Sequence, residues 1–400
     1  MGIKTPCYSW QNNQTVKNTC TFCYICRLVL NNILMSTALT NKPHYLILDA
    51  LRGVAAIMVV IFHIFEAHST SHLDQVINHG YLAVDFFFML SGFVIGYAYD
   101  DRWGGLTYKD FFKRRLVRLQ PMVVMGMIIG AIGFYFSASN LFPGIAGVPV
   151  WQMLLIMLIG FTLLPVPPSM DIRGWQEMHP LNGPGWSLFF EYIANILYAL
   201  FIRKFSKTAL AILVILSGAA LIHLAVTSGD VVGGWSVTVP QLRIGFTRLM
   251  YPFFAGLLLC RVVKINQIKN AFLWSGLLLV LILALPRLGA SKQPWMNGLY
   301  DSLSIIFIFP IIIYMGAGGA VHTMASLKIC KFFGDISYPV YITHYPLIYI
   351  YTAWVIDNKI SFKEALPVAV LVLALSIGIA YACLKLYDEP VRKWLNRKFA

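Results

Sequence analysis

Acidic residues are scarce in this chain: 17 Asp and Glu stand among 400 residues, against 31 Lys and Arg, and charged residues of both signs make up only 12%. A soluble domain carries about twice that share of charge. With 58% hydrophobic residues and a mean hydropathy of +0.70, the composition excludes an ordinary soluble protein and indicates a polytopic membrane protein. Cysteine is also sparse, and four of the seven, Cys7, Cys20, Cys23 and Cys26, crowd the first 26 residues. Their two CxxC steps have a zinc-like spacing, yet no His lies nearby and no folded pattern surrounds them. The plainer reading is that translation begins at Met35. Residues 1–43 are therefore read as a poorly structured N-terminal segment, 44–393 as the membrane domain and 394–400 as a basic cytoplasmic tail. A cleavable signal is missing, and the first apolar run after His44-Tyr45 reads as an uncleaved anchor. His68, His72 and His79 lack the spacing of a tetrahedral site, so no metal is expected. Cys260, Cys330 and Cys383 fall in or beside apolar runs and read as small apolar residues.

The net charge of +14 does not form a nucleic-acid-binding face, because Lys and Arg lie in short links between apolar runs, as the positive-inside rule requires. Runs of span length cover residues 49–66, 81–99, 121–138, 187–202, 208–226, 246–260, 271–287, 299–316, 338–355 and 366–384, which gives an all-α bundle of about ten transmembrane helices. Basic clusters follow every second run, from Lys109–Arg118 to Lys328 and Lys331, and both termini are expected to be cytoplasmic. The apolar stretch from Trp151 to Leu164 breaks that parity if it crosses. At about 14 residues it suits an interfacial or re-entrant helix better. It is placed on the outer face with the Pro/Gly-rich loop 165–185.

Arg52 and His63 are ionisable groups inside the first run. Eleven helical steps put them on one face, about 16 Å apart along the axis. Charges at membrane depth are costly and are usually retained for a site. Arg52 falls near the cytoplasmic end and His63 in the outer half. Glu191, near the start of the fourth run, is expected to reach His63, and a His held by a carboxylate is a general-base arrangement. The competing reading is a His–Glu pair that only joins two helices. Asp49, three residues before Arg52, makes a local salt bridge the bland reading of that arginine, and an incoming anion the functional one. Lys113, Arg114, Arg115 and Arg118 form a charged face suited to nucleotide phosphates or to anionic lipid. Asp85 is a carboxylate in an aromatic setting and must be neutralised or partnered. Gly92 reads as a close-packing residue, Ser187 as an N-cap. His344, expected in the inner half of the ninth run, lines a cofactor passage or bonds a neighbouring backbone.

Six blocks carry a resemblance. Asp49-Ala50-Leu51-Arg52-Gly53 with His63 resembles the Arg-x10-His signature of the acyltransferase-3 family. Val84-Asp85-Phe86-Phe87-Phe88 through Ser91-Gly92-Phe93 resembles its second-helix block, and Lys113-Arg114-Arg115-Leu116-Val117-Arg118 its basic block. Trp186-Ser187-Leu188-Phe189-Phe190-Glu191, Gly334-Asp335-Ile336-Ser337-Tyr338 with His344, and Asp388-Glu389-Pro390 complete the set. The resemblance implies ten membrane helices, a cytoplasmic acyl-CoA donor, acetyl-CoA in the first instance, and a hydroxyl acceptor on a cell-surface or exported glycan reached from the other side of the cell membrane. It gives His63 and Arg52 as the essential pair and Arg115 and Arg118 as donor-side arginines. Some members carry a fused esterase-like domain; this sequence ends at Ala400, so it is read as a stand-alone form. The working expectation is that His63, Glu191, Arg52 and Asp85 serve catalysis, that Arg52, Arg115, Arg118 and His344 bind the donor, and that pantetheine lies along the Arg52–His63 stripe. A different class, a carrier of a glycan or lipid-linked precursor, predicts internal repeats or paired broken helices, which the sequence lacks.

Overall fold

Apolar chain in a bilayer must satisfy its own backbone polar groups, and it does so as helix. The structure, a computed structural model, describes residues 42, 44–289 and 291–399; the four N-terminal cysteines and Met35 lie outside the described residues. Among the described residues there is no strand, only one isolated bridge between Ile268 and Gly319. Helix α1 spans Leu46–Glu66, a turn at His79–Leu82 leads into α2 (Ala83–Tyr99), and α3 spans Tyr108–Gly133. Then come α4 (Val150–Gly160), α5 (Gly185–Leu200), α6 (Lys207–Ser228), α7 (Val239–Val262) and α8 (Ala271–Ala284). Helices α9 (Trp295–Leu303) and α10 (Phe309–Ala317) join through one wide turn, followed by α11 (Met324–Thr343), α12 (Tyr345–Asn358), α13 (Phe362–Cys383) and α14 (Glu389–Phe399).

Local chemistry sets several of these boundaries. Asp110 N donates to Thr107 Oγ1 at 3.1 Å while Thr107 N donates to Asp110 Oδ2 at 3.4 Å, a capping box that starts α3 and fixes where Arg115 and Arg118 fall along it. At its far end α6 stops on Gly229, whose φ of +85° favours glycine.

Seven helical runs among the described residues are long and apolar enough to cross a membrane: 46–66, 79–99, 108–133, 207–228, 239–262, 295–317 and 362–398. The other three expected spans differ from a simple apolar rod. Helix α5 has 16 residues and α8 has 14. The ninth run starts at Met324 and breaks at His344, between α11 and α12. The break has a definite cause, since Pro346 has no amide hydrogen for the carbonyl of Ile342. The Asn182 side-chain amide donates to that carbonyl instead, at 2.7 Å. Gly126 of α3 lets the junction close, because a Cβ there would lie 2.7 Å from Ile342 O. Helix α4 has 11 residues, about 16 Å of rise. That is half a hydrocarbon core, in keeping with a segment that does not cross.

Small residues bring the helices together. A Cβ on Gly92 of α2 would lie 2.1 Å from Phe253 O, and one on Gly256 of α7 would lie 2.0 Å from Met89 O. Close backbone approach of this kind is how membrane helices gain packing energy.

Asp85 belongs to this α2–α7 contact. Arg248 Nη2 donates to its Oδ2 at 2.6 Å and Nε donates to Oδ1 at 3.2 Å, and both side chains are buried. Arg248 also donates to Tyr81 O at 2.7 Å and Gly233 O at 3.2 Å. Asp85, expected among the catalytic residues, is thus held as the counter-ion of a buried arginine and lines neither chamber described below. Breaking a buried pair from one side leaves an uncompensated charge and costs about 3–5 kcal/mol. Asp85→Leu is therefore expected to lower stability by about that amount, and the Asp85→Leu/Arg248→Met double variant by clearly less, as read by unfolding midpoints in a denaturing-detergent titration. Equal losses for the single and the double variant would refute this account.

Candidate active site

Two adjoining chambers lie between these helices. Arg52 of α1, Arg115 and Arg118 of α3, Ser91 of α2, and Ser187 and Glu191 of α5 line the first, with Tyr338 and Tyr341 of α11. Arg52 is held by Asp49 Oδ1 at 2.8 Å, the local pair its spacing foretold. Arg115 Nη2 donates to Glu191 Oε1 at 2.7 Å, and the Ser91 hydroxyl donates to the same oxygen at 3.2 Å. Arg118 has no ion-pair partner among the described residues and is exposed. Three guanidiniums with two carboxylates between them leave a cation-rich recess, and arginine grips phosphate in a fork without losing its charge.

The expectation that Glu191 meets His63 is corrected here. Glu191 is drawn to Arg115, because a carboxylate in an apolar bundle takes the nearest strong cation. The partner of His63 is Glu66, three residues on along α1, with Nδ1 and Oε2 2.6 Å apart. Nε2 has no partner among the described residues and is the ring nitrogen available to a substrate.

His63 opens on the second chamber, a cavity of about 360 Å³. Glu66, Glu177, Tyr345 and three tryptophans, Trp175, Trp186 and Trp235, share its wall. His344 is buried behind this wall, stacked on His63 with ring centroids 5.8 Å apart at 26°. It lies beside His63 and does not line the arginine chamber, which differs from its expected place at the donor end. Its Nδ1 lies 2.9 Å from Tyr341 O, and its buried Nε2 has no hydrogen-bond partner. Arg52 and His63 share a helix face but not a chamber. Among the described residues no three His, Cys, Asp or Glu side chains gather to hold a metal. The loop histidines are divided, His68 Nε2 lying 2.6 Å from Tyr351 Oη and His79 Nε2 2.9 Å from Asn297 Oδ1.

Glu66, Arg248 and Glu177 escaped the sequence reading. Glu66 has a signal in the i,i+3 spacing from His63, and Arg248 has one as a charge inside an apolar run that needs a counter-ion. Glu177 has none, because the loop fold brings it in. In that loop Arg173 donates through Nε to Pro180 O at 2.8 Å and through Nη1 to Ser137 Oγ at 3.0 Å, and lies 3.5 Å from the centre of the Tyr349 ring.

A histidine held by a carboxylate on one side of a thin wall, and a cluster of arginines on the other, form a site with the groups that acid–base and anion chemistry use. Residues 45–385 match the acyltransferase domain of the acyltransferase-3 family, and the chain belongs to that family. It is a multi-pass membrane protein built on an acyltransferase domain. It is 31% identical over 168 residues to the protein named "Protein 2 in picA locus" of Rhizobium radiobacter, a match covering 39% of this chain and 81% of that one. It is 23% identical over 375 residues to "O-acetyltransferase OatA" of Staphylococcus aureus, covering 90% of this chain and 59% of the relative. The chain thus spans about three fifths of that relative's length. No solved structure matches it.

Glu177 gives the loop a pH signature. Burial pushes its carboxyl from 4.5 up to about 7, against the pull of Arg173. Between those values the folded protein holds a proton that the unfolded chain has released, so stability falls as pH climbs from about 4.5 to about 7. The full effect is roughly 3 kcal/mol. His179, which burial lowers to about 4, works in the opposite sense, so the readout is the difference between wild type and Glu177→Gln. That difference should change steadily between pH 4.5 and 7, with the variant losing less stability. Parallel unfolding curves across this range would contradict it.

Proposed function

We propose that this protein moves an acyl group, acetyl in the first instance, from cytoplasmic acyl-CoA to a hydroxyl of a cell-surface or exported glycan, with His63 as general base. One observation carries the reading: His63, its Nδ1 on Glu66 at 2.6 Å, faces one chamber while three arginines line the chamber beside it. The basic links support a cytoplasmic arginine side by the positive-inside rule, where acyl-CoA is found. Localisation in the plasma membrane follows from the same reading, since the acceptor is then met outside the cell.

Arg52, Arg115 and Arg118 hold the donor's phosphates, and Glu191 keeps Arg115 oriented. The acceptor oxygen attacks the thioester carbonyl as His63 Nε2 takes the hydroxyl proton. Glu66 fixes the tautomer by accepting from Nδ1–H and stabilises the imidazolium that forms. The C–S bond then breaks, the sulfur takes the proton from His63, and the products are an O-acyl ester and CoA thiol. Trp175, Trp186 and Trp235 with Glu177 offer apolar faces and an acceptor group to a polyhydroxy ring, which supports a glycan. The relative named an O-acetyltransferase supports acetyl as the group moved.

Protein reconstituted in vesicles with acetyl-CoA and a glycan acceptor should release CoA thiol. His63→Ala is expected to cut that release by about 10²–10⁴-fold. Glu66→Gln should lower kcat with little change in donor KM, and Glu191→Gln should chiefly raise donor KM. Unchanged release by His63→Ala would end the base assignment, and glycan flux without any thiol release would favour a carrier.

A further inference from the structure

The two chambers share a wall. Tyr341 and Val84 line both, and Ser187 lines the arginine side. The Tyr341 and Ser187 hydroxyl oxygens lie 2.7 Å apart, and Ser187 Oγ donates to Pro184 O at 3.1 Å. With its proton so engaged, Ser187 accepts from Tyr341. Phe87 meets the Tyr341 ring edge-on, with centroids 5.2 Å apart at 81°, and both Tyr341 and Ser187 are buried. A side-chain ring held by one hydrogen bond between neutral hydroxyls therefore closes the path from the arginines to His63. Such a bond has a small net worth, so the closure is tight in packing yet easily displaced.

We propose that Tyr341 and Ser187 form a displaceable partition that decides between transfer and hydrolysis. Closed, it keeps water of the outer chamber from a thioester held at the arginines; moved aside by the arriving acyl arm, it admits the carbonyl to His63. This rests on the donor and acceptor sides assigned above. With the partition loosened, water takes the acceptor's place: its oxygen forms the new C–O bond, the C–S bond breaks, one proton ends on sulfur as CoA thiol, and the acyl group leaves as the free acid. The partition is a specificity device, acting on the reaction through access and not through proton transfer.

Two measurements test it. In a chain whose seven cysteines are replaced, Val94→Cys places a thiol on the arginine side. A membrane-impermeant maleimide added from the His63 side should label it slowly when Tyr341 is intact. Tyr341→Phe should speed labelling about fivefold, the population change expected when one neutral hydrogen bond is lost, and Tyr341→Ala should speed it further. Acceptor-independent thiol release should rise in the same order relative to acceptor-dependent release, with Ser187→Ala resembling Tyr341→Phe. Identical labelling rates in parent, Tyr341→Phe and Tyr341→Ala overturn the partition. Because labelling needs no turnover, faster labelling in the variants supports the barrier even where the parent releases no thiol with any acceptor, a result that instead counts against the acyl-transfer reading.

Discussion

An ionised group in an apolar bundle must find an opposite charge or a set of hydrogen bonds, because the penalty for leaving it bare is several kcal/mol. That constraint decides which carboxylate each functional residue receives. Arg248 takes both oxygens of Asp85 and ties α2 to α7. Arg115 takes Glu191. His63 pairs with Glu66 on its own helix. The site is thus assembled by a matching of charges, and each pairing removes one carboxylate from the choices open to the rest. Glu66 is the partner that remains free to serve a histidine.

Helix geometry then separates the two kinds of group. Along α1, Arg52 and His63 point the same way but about 16 Å apart, so one small chamber cannot hold both. The break between α11 and α12 adds the second element. Pro346 frees the Ile342 carbonyl, Asn182 from the outer loop captures it, and Gly126 gives the space. His344, the last residue before this junction, lies on His63. The loop that supplies Asn182 also supplies Trp175 and Glu177 to the cavity wall, so the part of the chain least regular in sequence shapes the side of the site where an acceptor would lie.

Much of this was legible in the sequence, and the remainder failed for identifiable reasons. The apolar runs, the short helix near Trp151, the arginines near one end of α1 and the close packing at Gly92 follow from period, length, charge and size, which are local properties. The partner of His63 was misplaced because helix direction alone gives depth to about a turn and says nothing about rotation. The i,i+3 neighbour Glu66 was the safer choice, since it needs no second helix to be oriented. The place of His344 against His63 is out of reach for the same reason, since it depends on how α11 is rotated against α1. Glu177 and Arg173 were invisible: a loop with no periodicity offers no rule for which of its charges turns inward.

Under the proposed reading, the charge balance of the arginine chamber explains why its arginines are paired at all. Arg52, Arg115 and Arg118 face Asp49 and Glu191, which leaves one net positive charge. Three bare guanidiniums would repel one another, and a recess with every arginine neutralised would have no pull on an anion. The intermediate state keeps the cations ordered while leaving Arg118 available, and a ligand carrying several phosphate charges can compete for Arg52 and Arg115 from their carboxylates. Binding then exchanges internal pairs for external ones, at a modest net gain for each. A donor held in that way can be released once its acyl group is gone, which tight capture by uncompensated charge would oppose.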